Sequence, residues 1–539
     1  MGSTKKYWKG IGELNETPEF LQSRDQEFTT QTSVEEFLSD ESLNETSTAR
    51  RDFLKFLGFS VAAATVAACE TPVTKVIPYV NKPENVTPGL ATWYSSTYYD
   101  GNSYASILVK TREGRPIFIK GNKDHGITHG GANPQIIASV LGLYDSARLK
   151  DATENGNSSD VSSVDKKISK ELKAAKSVVL LSNTIISPSI REAINELGSS
   201  INGEGSDKFE HIQYDAVSYA GMREANKATF GLTVREGSDN GIIPGYDFSK
   251  AKTIVSVGAD FLNSWLLPTQ FTGQYALTRN PDAKWMSKHF QFETVMSITG
   301  SNADYRGMIK PSEEAKVLAY MLKGMGASTA GVSSDLNAGA KDIADKAIKA
   351  LNASKGAALV VAGSNNKAVQ ILANKLNDVV GAYGSTIDLN NPINLFMSED
   401  AAMAKFVKDV ENGKGPDAVI VYGANPAYSL PNGDKFAKGL KKIKTTISLA
   451  GYADETASNC TYVVPDHHAL EAWADLNPTK SHYAIAQPTI RPLHNTVSAI
   501  ESFLVWAGKA KREGKDSKVA HNYIKQLWLQ WGFPDQTKY

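Results

Sequence analysis

Asp417-Ala-Val-Ile-Val-Tyr-Gly-Ala-Asn-Pro426 decides the fold. The run up to Tyr422 is apolar and rich in β-branched residues, and Gly423 and Pro426 break it. So short an unbroken run reads as a buried strand closed by a turn. The build recurs at Ser177-Val-Val-Leu-Leu181, at His211–Tyr214 and at Thr253–Val257, which ends in Gly258-Ala-Asp260. It returns at Ala357–Val361, leading into Gly363-Ser364, and at Lys444–Leu449 and Thr461–Val464, with a further strand region in Lys284–Ile298. Helical periodicity lies between them at Pro188–Leu197, Tyr219–Phe230, Ser312–Lys323, Ala338–Leu351 and Asn366–Val379. Strand and helix in alternation predict parallel sheets covered on both faces.

Read in chain order, the α/β pattern divides into two doubly wound, Rossmann-like units, residues 159–309 and 310–498. Residues 91–158 read differently. Ala91–Tyr98, Ala105–Thr111 and Arg115–Lys120 predict three strands, with turn signals at Asp100-Gly101 and Glu113-Gly114. A glycine-rich loop with His125 and His129 follows, then helical periodicity from Gln135 to Tyr144. Residues 499–539 read as a helical closing segment.

Upstream, residues 1–48 are polar and acidic. Residues 49–70 hold Arg50-Arg51, an apolar run from Phe53 to Ala68, and Cys69. A membrane span needs about 20 apolar residues, and this run is shorter and interrupted. A basic front, an apolar middle and small residues at the end have the build of an export signal. The twin arginine resembles a Tat signal, and Val66-Ala-Ala-Cys69 resembles a lipobox in which Cys69 carries lipid. Residues 71–90 contain four prolines and predict an extended tether. These features predict a chain held on the periplasmic face of the bacterial cytoplasmic membrane, by a lipid anchor or an uncleaved signal.

The chain has 539 residues, with 58 basic and 58 acidic side chains, so its net charge gives no reason to expect a nucleic-acid partner. Two cysteines, Cys69 and Cys460, rule out a disulfide framework and a four-thiolate iron–sulfur site within this sequence. Cys460 reads as a buried structural thiol.

In open α/β sheets ligands bind at the carboxyl ends of strands. The candidate turns are therefore Gly258 with Asp260, Gly363, and Gly423 with Asn425, to which Asp466 after the Thr461–Val464 strand is added. None is Gly-x-Gly-x-x-Gly, and each alone equally describes a simple turn. His125, His129, His467 and His468 are more economically satisfied loop histidines than metal ligands, since no Cys/His/Asp cluster accompanies them.

Longer patterns carry more. Gly114-Arg-Pro-Ile-Phe-Ile-Lys-Gly-Asn-Lys-Asp-His125, Thr128-His-Gly-Gly131 and Leu141-Gly-Leu-Tyr-Asp145 with Arg148-Leu149 resemble the first domain of the molybdopterin oxidoreductase family. Gly423-Ala-Asn-Pro-Ala-Tyr-Ser-Leu-Pro431, Asp454-Glu-Thr-Ala457, Val464-Pro-Asp466, Glu471-Ala-Trp473 and Asp475 resemble its later landmarks, in order. Ser301-Asn-Ala-Asp304 with Lys310-Pro311 is a weaker match. The resemblance implies that the six candidate residues above are vestigial pterin-binding turns.

The departures define a branch. No cysteine stands in Thr92–Pro134, where cluster-bearing members have them, and no metal ligand can be singled out. This resembles the molybdenum-free half of the large iron–sulfur subunit of alternative complex III, a quinol-oxidising respiratory complex. The resemblance implies a scaffold with no catalytic residue and no cofactor in residues 1–539. It implies iron–sulfur clusters in a ferredoxin-like part beyond this sequence, and haem c elsewhere in the complex. Implied partners are a multihaem c-type cytochrome, a polytopic quinone-binding membrane subunit, that cluster-bearing part and the lipid membrane. Electrons would pass to cytochrome c or an oxidase. The alternative is a catalytic molybdopterin oxidoreductase with a serine or aspartate metal ligand.

Overall fold

The computed structural model describes residues 89–532, apart from 204–205, 235–239 and 330, together with the isolated residues 18 and 87. Every element below belongs to the compact unit Tyr79–Tyr539. The stretch 417–426 forms the centre of a seven-stranded sheet. Strand Ala418–Tyr422 lies between Thr445–Ser448 and Val178–Ser182, with Tyr462–Val463 and Phe209–Gln213 outside them, all parallel. Thr153–Glu154 and Asn157–Ser158 add an antiparallel edge.

Alternation of side chains sends the central strands' apolar residues to both faces. Val178, Leu180, Ala418, Ile420 and Ile447 pack under Val164, Ile168, Ile194, Leu197, Phe503 and Trp506 of helices Val161–Ala174, Pro188–Asn202 and Ala499–Trp506. Val179, Leu181, Val419 and Val421 pack on the other face under Met403, Phe406, Phe436 and Leu440 of helices Asp400–Glu411 and Gly433–Leu440. Burial on both sides is why the sequence shows an unbroken apolar run.

A second parallel sheet has the order Tyr305–Met308, Lys288–Glu293, Thr253–Val257, Ala358–Ala362. Helices Glu314–Gly324, Ala338–Ala353 and Lys367–Val380 pack on it in the largest core cluster. Two α/β units are thus present, but their strands do not divide at residue 309/310 as chain order predicts. The sheet begun by residues 178–213 is completed by residues 418–463, and the 253–362 sheet lies between them in sequence. Periodicity identifies a buried strand; it carries no information on which distant strand pairs with it.

Thr92–Tyr99, Tyr104–Arg112 and Arg115–Gly121 form the expected antiparallel sheet, covered on one face by helix Pro134–Leu143. A fourth sheet is not foreseen by the sequence: His482–Ala486, Ala474–Thr479, Ile387–Ile393 and Ile243–Tyr246, antiparallel. Pro244, Pro392 and Pro478 lie in its strands, and prolines argue against strand until a register shift accommodates them. Such shifts occur between Asp388 and Ile393 and between Leu476 and Thr479.

Candidate functional site

In the seven-stranded sheet, Val178–Ser182 leads to Phe209–Gln213 on one side, while Ala418–Tyr422 leads to Thr445–Ser448 on the other. Neighbouring strands whose connections diverge leave a crevice at their carboxyl ends. Here it is a cavity of about 270 Å³ lined by Asn183, Tyr422, Gly423, Asp466, His467, Tyr99 and Asp100, with aliphatic walls including Ile186, Ile190 and Leu476.

Gly423 turns with φ +63°, and a Cβ there would stand 2.7 Å from Asn183 Oδ1. Gly101, φ +97°, would place one 2.8 Å from Asn183 Nδ2. The Asn183 amide therefore fills the space between two glycines that L side chains would close. Tyr99 donates its hydroxyl hydrogen to the Thr184 carbonyl, 3.0 Å. Asp466 Oδ1 accepts from the amides of His467 and Ala499, 2.8 and 2.9 Å. Burial, with a smaller contribution from the Glu471 charge, pushes the Asp466 carboxyl up to about 7. Burial and then the Asp466 charge hold the Tyr422 phenol well above its ordinary value.

In the second parallel sheet Thr253–Val257 and the edge strand Ala358–Ala362 are neighbours, which brings Gly258 and Gly363 together at their carboxyl ends. A Cβ on Gly363 would fall 2.1 Å from the Gly258 carbonyl oxygen, and one on Gly258 would meet Glu314 Oε1 at 2.8 Å. The Glu314 carboxyl thus stands over the turn. Burial raises its pKa, against a lowering hydrogen bond from Ser364. Asp260 accepts from the amide and hydroxyl of Thr299, 3.1 and 2.7 Å.

A pterin dinucleotide would bring a pyrophosphate, which needs convergent N–H donors or cationic side chains. The first crevice offers the Asn183 amide and the Tyr422 hydroxyl but no cation, and each turn faces a carboxyl. Asp466 and Asp100 line the first, with no lysine or arginine among its lining residues. Glu314 occupies the second, with Asp260 following the same strand. Both carboxyls raised by burial report sites without a compensating cation. These turns do not fit a pyrophosphate. Among the described residues no group of three or more His, Cys, Asp or Glu side chains is arranged to hold a metal ion.

The six residues chosen from sequence thus separate. Gly258 and Gly363 meet, with Asp260 nearby on the Thr253–Val257 strand's exit; Gly423 and Asp466 share the cavity. Asn425 belongs to neither: its Nδ2 donates to Glu455 and its Oδ1 accepts from the amide and hydroxyl of Thr456. That bond ties the Gly423–Pro431 motif to the Asp454–Ala457 motif.

His125, His467 and His468 are held by the fold. His125 Nδ1 accepts from the Thr128 amide at 3.2 Å, so its Nε2 carries the proton and faces His482 Nε2 at 2.8 Å. His467 Nδ1 lies 2.7 Å from the Thr496 hydroxyl, and His468 Nε2 donates to the Ser139 carbonyl at 3.2 Å. His129 is exposed and adopts φ +44°. Burial pushes the Cys460 thiol up to about 12. The sequence reading missed Asn183, Tyr422, Glu314 and His482. For Asn183 the signal was available, since Ser182-Asn183 follows a buried strand as Gly423 does. Arg50, Arg51 and Cys69 lie outside the described residues. Among the described residues no helix is long and apolar enough to cross a membrane.

No family model matches the chain. Among curated proteins it is similar to the menaquinone reductase, molybdopterin-binding-like subunit of Nitratidesulfovibrio vulgaris strain Hildenborough. The two are 25 % identical over 517 residues, covering 85 % of this chain and 72 % of that protein. Among solved structures it resembles acetylene hydratase from Pelobacter acetylenicus, with a TM-score of 0.62 and 12 % identity, over 83 % of this chain and 73 % of that one. The structural likeness is one of fold. Together the two findings support the molybdopterin-oxidoreductase-like family that the ordered motifs resemble.

Proposed function

We propose that this chain is a cofactor-free scaffold within a quinone-linked respiratory oxidoreductase complex, of the alternative complex III type. One observation carries the scaffold reading. Both strand-end crevices hold the chain's own carboxyls where a pyrophosphate would need donors. The similarity to a subunit named for menaquinone reductase supports the quinone-linked setting.

In this reading the chain sits on the periplasmic face of the cytoplasmic membrane, attached through Cys69 or an uncleaved signal. It supports a cluster-bearing ferredoxin-like part and contacts a multihaem c-type cytochrome and a polytopic quinone-binding subunit. Electrons pass through those partners to cytochrome c or an oxidase. Purification from solubilised native membranes, followed by subunit identification and haem c spectroscopy, tests it. Co-purification with a multihaem cytochrome and a polytopic subunit is expected. A chain recovered alone under mild detergent and low salt overturns the assignment.

A further inference from the structure

The three-stranded sheet has one face covered by helix Pro134–Leu143; the other face is buried at its Thr97, Tyr104 and Ser106 end and, among the described residues, exposed at its Trp93 and Phe118 end. The pairing register sets Trp93, Lys110 and Phe118 in a row across the exposed end. The next row sets Ser95, Leu108 and Lys120 side by side. Trp93, Ile117 and Phe118 are 40 %, 49 % and 44 % exposed, large values for such side chains beside a packed core. Trp93 and Phe118 stand edge to face with centroids 6.5 Å apart. The ammonium groups of Lys120 and Lys110 lie 4.3 and 5.9 Å from the Trp93 ring centroid. Arg112 and Arg115 face each other at the end of the same hairpin, both exposed. None of these four cations forms an ion pair with a described carboxylate.

We propose that this exposed end of the sheet, centred on Trp93, Lys110, Phe118 and Lys120, docks on an anionic phospholipid surface. The chemistry is complementary at two depths. Indole and phenyl rings settle at the headgroup–acyl boundary, while lysine and arginine reach the phosphates. Each cation near an anionic surface adds to the attraction, and the four basic groups outnumber Glu113, the one acidic residue of the same hairpin. An acidic protein surface would satisfy the charges, but it would leave the exposed Trp93 and Phe118 rings, which lie among the lysines, without an apolar partner. The inference rests on the membrane-face location proposed above, and it concerns orientation: the lipid anchor would hold the chain near the bilayer, and this sheet would set which side faces it.

The chain of residues 1–539 carrying Cys69→Ser, so that no lipid is attached, is mixed with vesicles of phosphatidylcholine containing one-third phosphatidylglycerol. Co-sedimentation is expected, lost in high salt. The K110E/K120E double variant, altered only at the surface, is expected to bind at least about tenfold more weakly. Brominated lipid is expected to quench a fluorescence component absent from Trp93→Phe. Equal binding by the double variant would mean that the 53–68 apolar run does the work, and would overturn the proposal. So would equal binding to pure phosphatidylcholine, an unquenched Trp93, or no vesicle binding. None of these outcomes touches the subunit composition that tests the scaffold reading.

Discussion

Arg148 Nη2 lies 2.6 Å from Glu471 Oε2, in an ion pair whose side chains are 3 % and 0 % exposed. Arg148 also donates from Nη1 to the Leu143 carbonyl and to Glu471 Oε1. The pair joins the end of the small N-terminal unit to a loop 323 residues away, between two motifs that the sequence offered separately. Burial alone would raise the Glu471 pKa, but the Arg148 hydrogen bonds, the Leu493 amide and the Arg148 charge outweigh it and lower it. Breaking such a pair from one side leaves an uncompensated charge. Arg148→Ala should cost about 3–5 kcal/mol in denaturant unfolding. Arg148→Ala with Glu471→Gln should cost less than the sum of the single changes. Additive losses would show that the pair is not coupled.

Asp466 makes a pH prediction of the opposite kind from most carboxylates. Its folded pKa, about 7, lies above the ordinary 3.8. Between those values the folded state keeps a proton that the unfolded state has lost, so stability falls as pH rises through the window and levels above it. Asp466→Asn keeps an oxygen for the His467 and Ala499 amides and removes the titration. It should be more stable than the parent at pH 8, by on the order of 2–4 kcal/mol, and should lose that advantage near pH 4. A constant difference across that range would contradict the assignment.

His125 runs the other way. Burial first, then the neighbouring His482 and His129, push it down to about 4 from 6.5, and His482 is lowered by burial. The unfolded state takes up the proton first as pH falls. The contribution is therefore full above about 6.5 and shrinks as pH falls toward 4. Chemical denaturation of His125→Gln should show a shallower acid-side slope than the parent, and two-dimensional NMR should report the Nε2-protonated tautomer for His125. An unchanged slope together with the other tautomer would dismantle the pair as described.

Gly363→Ala should be severe, because the new methyl would meet the Gly258 backbone at 2.1 Å, a contact no side-chain rotation relieves. A loss of about 3 kcal/mol or more is expected, as in other overpacked cores. Gly126→Ala, where nothing lies within 4 Å and φ is not positive, should stay within about 0.5 kcal/mol. Thermal unfolding of both variants checks the close approach of the Gly258 and Gly363 turns.

The parallel sheets were legible because both faces are buried, so Ala418–Tyr422 and Thr253–Val257 appear as bare apolar runs. The antiparallel sheet was not, because Ala474–Thr479 reads Ala-Asp-Leu-Asn-Pro-Thr and its pairing depends on a bulge. The glycine turns were legible as turns. What stands over them was not: Glu314 reaches Gly258 from a helix more than fifty residues downstream, and local pattern holds no trace of that approach. Arg148 and Glu471 show the same limit, since each looked like part of a local motif.

The central claim is that the two strand-end turns face the chain's own carboxyls and carry no pterin. Molybdenum and tungsten analysis, with fluorescence of extracted and oxidised pterin, on the complex purified from native membranes tests it most directly. The account predicts neither metal nor pterin in stoichiometric amount alongside abundant haem c. One molybdenum or tungsten per chain, with pterin released on denaturation, would contradict it.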